Sequence, residues 1–145
     1  MKTIGAKGMK VMKILHIILT MMWTVGLMSI AVLMSGSFSS PIDVALTFRE
    51  VLKLDFCLVI PGAQMTIILG LLYGFLTHWG FFKHRWITLK WIVAMGVVLS
   101  GRFIFHPLCS EIISFTDVGI VQYDHRITNL ILKCQLINGL QIAFL

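Results

Sequence analysis

Few side chains in this sequence could do chemistry, and four of them carry the argument: His16, Trp23, Lys90 and Arg102. His16, Thr20, Trp23 and Leu27 share one face at helical spacing. Lys90 and Arg102 both fall inside the apolar stretch Trp86 to His106, WITLKWIVAMGVVLSGRFIFH. Placing a cation within such a stretch costs energy, so each is a candidate functional residue. The competing reading is snorkelling, in which the long side chain carries its charge back to water. Helical side chains lean toward the helix N-terminus, so Lys90 can lean outward easily. Arg102, near the other end, must bend against that lean or pair with Glu50, Asp55, Glu111 or Asp124.

A histidine beside a lysine in partly apolar surroundings can carry a proton. It can also ligate the metal of a porphyrin while the ammonium pairs with a porphyrin carboxylate. The plainer alternative is an interfacial imidazole next to a snorkelling lysine. His106 cannot complete a bis-histidine site with His16, because it lies about 27 Å deeper along a parallel helix. His78, His84 and His125 fall in connecting segments and read as solvated. Cys57, Cys109 and Cys134 are odd in number and show no CxxC spacing, which gives neither a disulfide framework nor a zinc site. No G-x-S-x-G, Walker-type or HExxH pattern occurs, so hydrolase, NTPase and zincin chemistry have no footing.

The elements that must position these residues are set by composition. The chain is 58% hydrophobic and 12% charged, with a mean hydropathy of +0.93. Soluble domains average about 25% charged residues, and a core of this size could not absorb so much apolar surface. The expected class is therefore all-α: a polytopic membrane protein forming a single four-helix transmembrane bundle. Spans are expected near 12–34, 56–77, 86–106 and 127–145, each close to the roughly 20 residues a bilayer requires. The first is too long for a signal-peptide core and no A-x-A-like site follows it, so it is expected to be retained. A loop around Pro41, ending in a short interfacial helix near 42–54, is expected between spans one and two. Pro61 would be tolerated as an early residue of span two. After Pro107 a long polar loop, LCSEIISFTDVGIVQYDHR, leads to span four. The abrupt end of the chain at Leu145 reads as a truncation.

Charge sets the expected orientation. Lys2, Lys7, Lys10, Lys13, Lys83, Arg85 and Lys90 cluster before span one and around the turn between spans two and three. All six acids, Asp43, Glu50, Asp55, Glu111, Asp117 and Asp124, fall in the other two connections. The positive-inside rule then places both termini and the 78–85 turn in the cytoplasm, with the protein in the bacterial cytoplasmic membrane. The cations do not form a stripe with interleaved aromatics, so nucleic acid is not an expected partner. Gly62, Thr66, Gly70 and Gly74 form a small-xxx-small ridge, suited either to packing within the bundle or to a homo-oligomer face. Span four carries Gln135, Asn138 and Gln141 on one face and Asn129 and Lys133 on another. Such a helix either closes a polar interior or contacts a membrane partner.

Three segments together resemble a known family. Lys13-x2-His16-x6-Trp23-x2-Gly26, Pro61-x8-Gly70 and Trp86-x3-Lys90 look like the corresponding segments of the HemJ-like protoporphyrinogen oxidases and of related small bacterial membrane proteins of unknown function. The resemblance covers roughly residues 10–105. It implies a haem- or porphyrin-handling site at His16 and Lys90, with His16 as metal ligand or proton carrier, Trp23 as a wall and Arg102 as a further charge. The family's Arg-Leu-Phe-x-Tyr-His continuation of span one is absent, where this chain reads LMSIAVLMSGSF, and Gly101 and Arg102 stand where the family has its second histidine. Two classes follow from the residues and the resemblance together: a haem- or porphyrin-associated membrane redox protein, or a non-catalytic accessory subunit that packs against a partner.

Overall fold

A computed structural model describes residues 5–76, 85–117 and 125–145. All regular structure among the described residues is helical, in four helices. The first, α1, is Ala6–Met34. The second, α2, runs unbroken through Pro41–Leu54, Asp55–Val59 and Ile60–Leu76. The third, α3, runs through Arg85–Ser100, Gly101–Phe105 and His106–Asp117, and α4 is His125–Phe144. Successive helices are antiparallel. The end at which α1 begins is called basal below, and the opposite end apical.

Helices α2 and α3 are much longer than the spans expected of them. The segment Pro41–Leu76 has 36 residues, about 54 Å at 1.5 Å per residue. The expected loop before span two is reduced to Ser35–Ser40. Ser40 caps the helix by accepting a hydrogen bond from the Asp43 N–H at 3.2 Å, and Pro41 occupies a first-turn position where its missing N–H is not needed. The expected interfacial helix is thus the first third of a continuous helix. Likewise the residues expected to form a polar loop after Pro107 continue α3 as far as Asp117. The remaining connections, 77–84 and 118–124, lie outside the described residues.

Two prolines in mid-helix require an explanation, because a proline clashes with the carbonyl four residues earlier and lacks the N–H that would bond it. The chain answers both in the same way. A π-helical turn, Asp55–Val59, ends two residues before Pro61, and another, Gly101–Phe105, ends two residues before Pro107. The wider turn moves the preceding carbonyls and lets the helix continue past the ring. Pro61 is therefore an interior residue of α2, not an early one.

The core is an inter-helix seam. From α1 it takes Trp23, Leu27, Ile30 and Met34. From α2 it takes Val44, Phe48, Val51, Val59 and Ala63, which with the buried Asp55 run at spacings of three and four, the one-face periodicity of a helix. The apical segment Pro41–Leu54 pairs with His106–Asp117 of α3, where Cys109 and Ile112 are buried, just beyond the buried Phe105. Outward-facing side chains are apolar as well, including Ile14, Met21, Val32, Phe56, Ile92 and Phe103. Three of the helices are long and apolar enough to cross a membrane. The fourth of the expected spans, in α4, falls short in apolarity because Asn129, Lys133, Gln135, Asn138 and Gln141 interrupt it.

The tightest approach joins α1 to α2. A Cβ on Gly62 would stand 2.8 Å from the Trp23 backbone N, and one on Gly26 would stand 2.8 Å from Val59 Cγ2. The small-residue ridge therefore packs inside the bundle at Gly62, and Gly70 continues it with a Cβ position 3.3 Å from the Trp91 ring. Gly62→Ala should lower thermal stability, since overpacking against backbone costs about 1–3 kcal/mol. Gly139→Ala, with nothing within 4 Å of its Cβ position, should instead raise it, by up to about 1 kcal/mol from helix propensity. Melting curves of the two purified variants beside the parent check the opposite signs.

Candidate functional site

Two of the four candidate residues stand within electrostatic reach of each other. His16 stands on the exposed face of α1 in its basal half, and Lys90 stands on the exposed face of α3. The Lys90 charge is close enough to act on the His16 imidazole. That meeting is notable because α1 and Arg85–Ser100 scarcely touch. The two groups thus flank a separation between helices, not a packed seam. The Lys90 ammonium lies over the Trp86 ring, 4.8 Å from its centroid. A cation–π contact of this kind steers the charge toward the basal end, as the lean of the side chain also does.

Trp23 does not line that separation. It is 3% exposed and seats its backbone against Gly62, two turns apical of His16. The expected face continuing inward from His16 is real as a stripe, but it leads into the core. Thr20 bonds back to the His16 carbonyl at 2.8 Å, and Thr24 to the Thr20 carbonyl at 2.8 Å, so neither hydroxyl is directed at a ligand.

Arg102 is elsewhere again, exposed within the π-helical turn of α3. Among the described residues, none of its expected partners pairs with it. Glu50 pairs with Lys53 at 2.6 Å, and Glu111 with Arg126 at 3.8 Å. Asp55 is buried, within electrostatic reach of His106, and Asp124 lies outside the described residues. His106 is confirmed at the apical end, far from His16.

Polar side chains of α4 are turned inward, as one of the two expectations for that helix required. Gln135 donates to the Met34 carbonyl at 2.6 Å, and Gln141 donates to Ser100 Oγ at 3.0 Å. Asn138 is buried at 1% exposure with neither amide atom bonded. Asn129 and Lys133 face outward.

Sequence reasoning missed a second cluster, at the apical end. Asp55, 7% exposed, lies at the start of one π-helical turn, and His106 directly follows the other. Each acts electrostatically on its surroundings there: His106 on Asp55, and Asp55 on Cys109. Cys109 and Cys134 are both buried where His106–Asp117 meets α4. The only sequence signal was the position of Asp55 and His106, each a few residues ahead of a mid-helix proline. The two cysteines carry no spacing signal at all. Among the described residues, no group of three or more His, Cys, Asp or Glu side chains could hold a metal ion. Comparison with protein-family models, with curated proteins and with solved structures finds no match.

Because Arg102 is exposed and unpaired among the described residues, its truncation removes no buried ion pair. Arg102→Ala should shift stability by less than about 1 kcal/mol, against the roughly 3–5 kcal/mol of breaking a buried pair. Thermal unfolding of Arg102→Ala and Arg102→Lys provides the check; a large loss in both would mean a buried partner.

Proposed function

We propose that the chain is an integral protein of the bacterial cytoplasmic membrane whose His16–Lys90 pair takes up a planar, anionic, porphyrin-like ligand from the cytoplasmic leaflet. The observation that carries the reading is the convergence of an imidazole and an ammonium from two helices that hardly pack against each other. The membrane placement rests on the three long apolar helices, their apolar outer surface and the segregation of acids from basic clusters. In this placement the basal end, with both termini and the 78–85 turn, is cytoplasmic. The hydrocarbon core is about 30 Å thick, so the apical ends of α2 and α3 project beyond it on the far side.

The residues present suit such a ligand in part. Lys90 offers one charge for a carboxylate, and its contact with Trp86 holds that charge at headgroup height. His16 offers one nitrogen donor or one proton-transfer group. Among the described residues no other histidine lies at the basal end, so His16 would be the one imidazole there to hold a metal or a proton. A bound haem would supply one-electron chemistry at its iron; the chain's own part is to orient the ring, neutralise its carboxylate and move a proton at His16. Trp23 supports this site from behind by fixing α1 on α2. The resemblance to the HemJ-like oxidases around the same residues points the same way.

A second reading, the accessory subunit, draws on the exposed basal face of α3. Trp86, Leu89 and Ile92 there could cover a partner helix, and the partner could be another copy of this chain. Titration with haem and with protoporphyrin separates the two. Wild type should bind, while His16→Ala and Lys90→Met should lose most of the binding and keep the parental gel-filtration profile. Equal binding by all three proteins, or none by wild type, leaves the accessory reading. For the orientation, a Lys83→Cys variant should react with a membrane-impermeant maleimide only after the cytoplasmic side is opened. Labelling from the outside of intact cells would reverse the topology.

A further inference from the structure

Of the cations singled out by sequence, Arg102 takes no part in the basal site. Two hydrogen bonds fix its depth. Gln135 reaches the Met34 carbonyl at 2.6 Å and Gln141 reaches Ser100 Oγ at 3.0 Å, so α4 measures the distance from the end of α1 to the middle of α3. Residues 135 and 141 are about 9 Å apart along the axis, and Arg102 stands about 3 Å apical of Ser100. Arg102 therefore lies about 6 Å below the level at which α1 ends. The stretch of α1 from Ile14 to Met34 contains no Asp, Glu, Lys or Arg, so that level is still within the apolar layer. Ile92, Gly96, Leu99 and Phe103 form an exposed strip at helical spacing on the outward side of α3, and Arg102 borders it at Phe103. Nothing lies within 4 Å of a Cβ placed on Gly96, and bare backbone of this kind lets another helix come close. Among the described residues Arg102 has no ion pair and no ring contact.

We propose that this strip docks a transmembrane helix of a different protein, one that carries an aspartate or glutamate level with Arg102. Charge complementarity selects the occupant. An unpaired guanidinium at membrane depth costs energy, and a carboxylate on a facing helix offsets that cost by accepting paired hydrogen bonds from the guanidinium fork. Lipid phosphate is the competing anion, but it lies at the apical surface. Helical side chains lean toward the helix N-terminus, which for α3 is the basal end, so Arg102 leans away from that phosphate. A second copy of this chain is disfavoured by its own charges. Asp55 is buried, and the other described acids belong to Pro41–Leu54 and His106–Asp117, beyond the depth of Arg102. Two copies packed strip to strip would also set one Arg102 against the other. The proposal rests on the membrane placement and is independent of the porphyrin site, which lies at the basal end.

The test uses the full chain in phosphatidylcholine vesicles, with insertion checked by flotation. The probe is a poly-leucine peptide of membrane-spanning length with a coumarin at one end, and energy transfer from the protein's four tryptophans reports association. One peptide is leucine throughout; the others carry a single glutamate or lysine about four residues inside the apolar stretch, the depth of Arg102. The glutamate peptide should associate about tenfold more tightly than the all-leucine peptide, and the lysine peptide no more tightly than it. Arg102→Leu should abolish the glutamate preference, and Arg102→Lys should keep most of it. Gly96→Leu, which fills the strip, should weaken association of the glutamate peptide. Lys133→Leu, which removes an exposed cation of α4, should leave the preference intact. Equal association of all peptides with the wild type would overturn the proposal and leave the guanidinium to lipid phosphate. A glutamate preference that survives Arg102→Leu would overturn it as well. So would energy transfer between dye-labelled copies of the chain that Arg102→Leu abolishes, which would make the occupant a second copy. Failure of the chain to float with the vesicles would overturn the membrane placement and the proposal with it. The wild-type peptide series decides the matter even if a variant does not fold.

Discussion

The bundle depends on the crossing of α1 and α2 at their glycines. At Gly62 the two backbones come so close that even one methyl group would meet the Trp23 main chain, and Gly26 repeats the constraint against Val59 from the other helix. Close approach of this kind gains dispersion energy from backbone atoms and does not rely on a hydrophobic driving force, which is the packing mode suited to helices in lipid. It also fixes the rotation of α1. Once Trp23 and Leu27 are turned into the seam, His16, further along the same face, is carried toward the side where Lys90 stands. The position of the basal pair is thus a consequence of a contact two turns away from it.

The second organising feature is the treatment of proline. Pro61 and Pro107 would each end or sharply kink a regular helix, yet α2 and α3 pass through both by opening a π-helical turn just before the ring. The result is a pair of long antiparallel helices whose apical portions pack on each other beyond the end of α1. The same local widening falls at Asp55, which opens one π-helical turn, and at His106, which directly follows the other. A cluster of ionisable groups at that level therefore has a backbone cause as well as any chemical role.

What could be read in the amino-acid order divides along physical lines. Apolar length and charge segregation are additive properties of short windows, so the existence of the helices and the small-residue ridge at Gly62 were legible. The inward face of Gln135, Asn138 and Gln141 was legible too, because helical periodicity alone aligns them. Helix ends were not, because the proline rule used at Pro107 holds for a regular α-helix and fails once a π-helical turn intervenes. The same failure hid the joining of residues 42–54 to the second span. Of the candidate site, the placing of His16 and Lys90 toward the same end of the bundle was legible from rise per residue on parallel helices. Trp23 was misassigned as a wall because a shared face does not say which part of the face is covered. Of the acids expected beside Arg102 in the outer half, Glu50 and Glu111 pair instead with Lys53 and Arg126. The burial of Cys109 and Cys134 depends on how α3 and α4 are stacked, information that neither helix contains by itself.

The account's central claim is that α1 and α3, though hardly in contact, hold residues 16 and 90 at one site. Cross-linking tests it most directly. In a Cys57→Ser background the two remaining native thiols are buried and should stay silent toward reagent under native conditions. A His16→Cys, Lys90→Cys pair should then be joined by a short bifunctional maleimide, while a His16→Cys, Arg102→Cys pair should not. Failure of the first pair to cross-link, or equal cross-linking of both, would contradict the account.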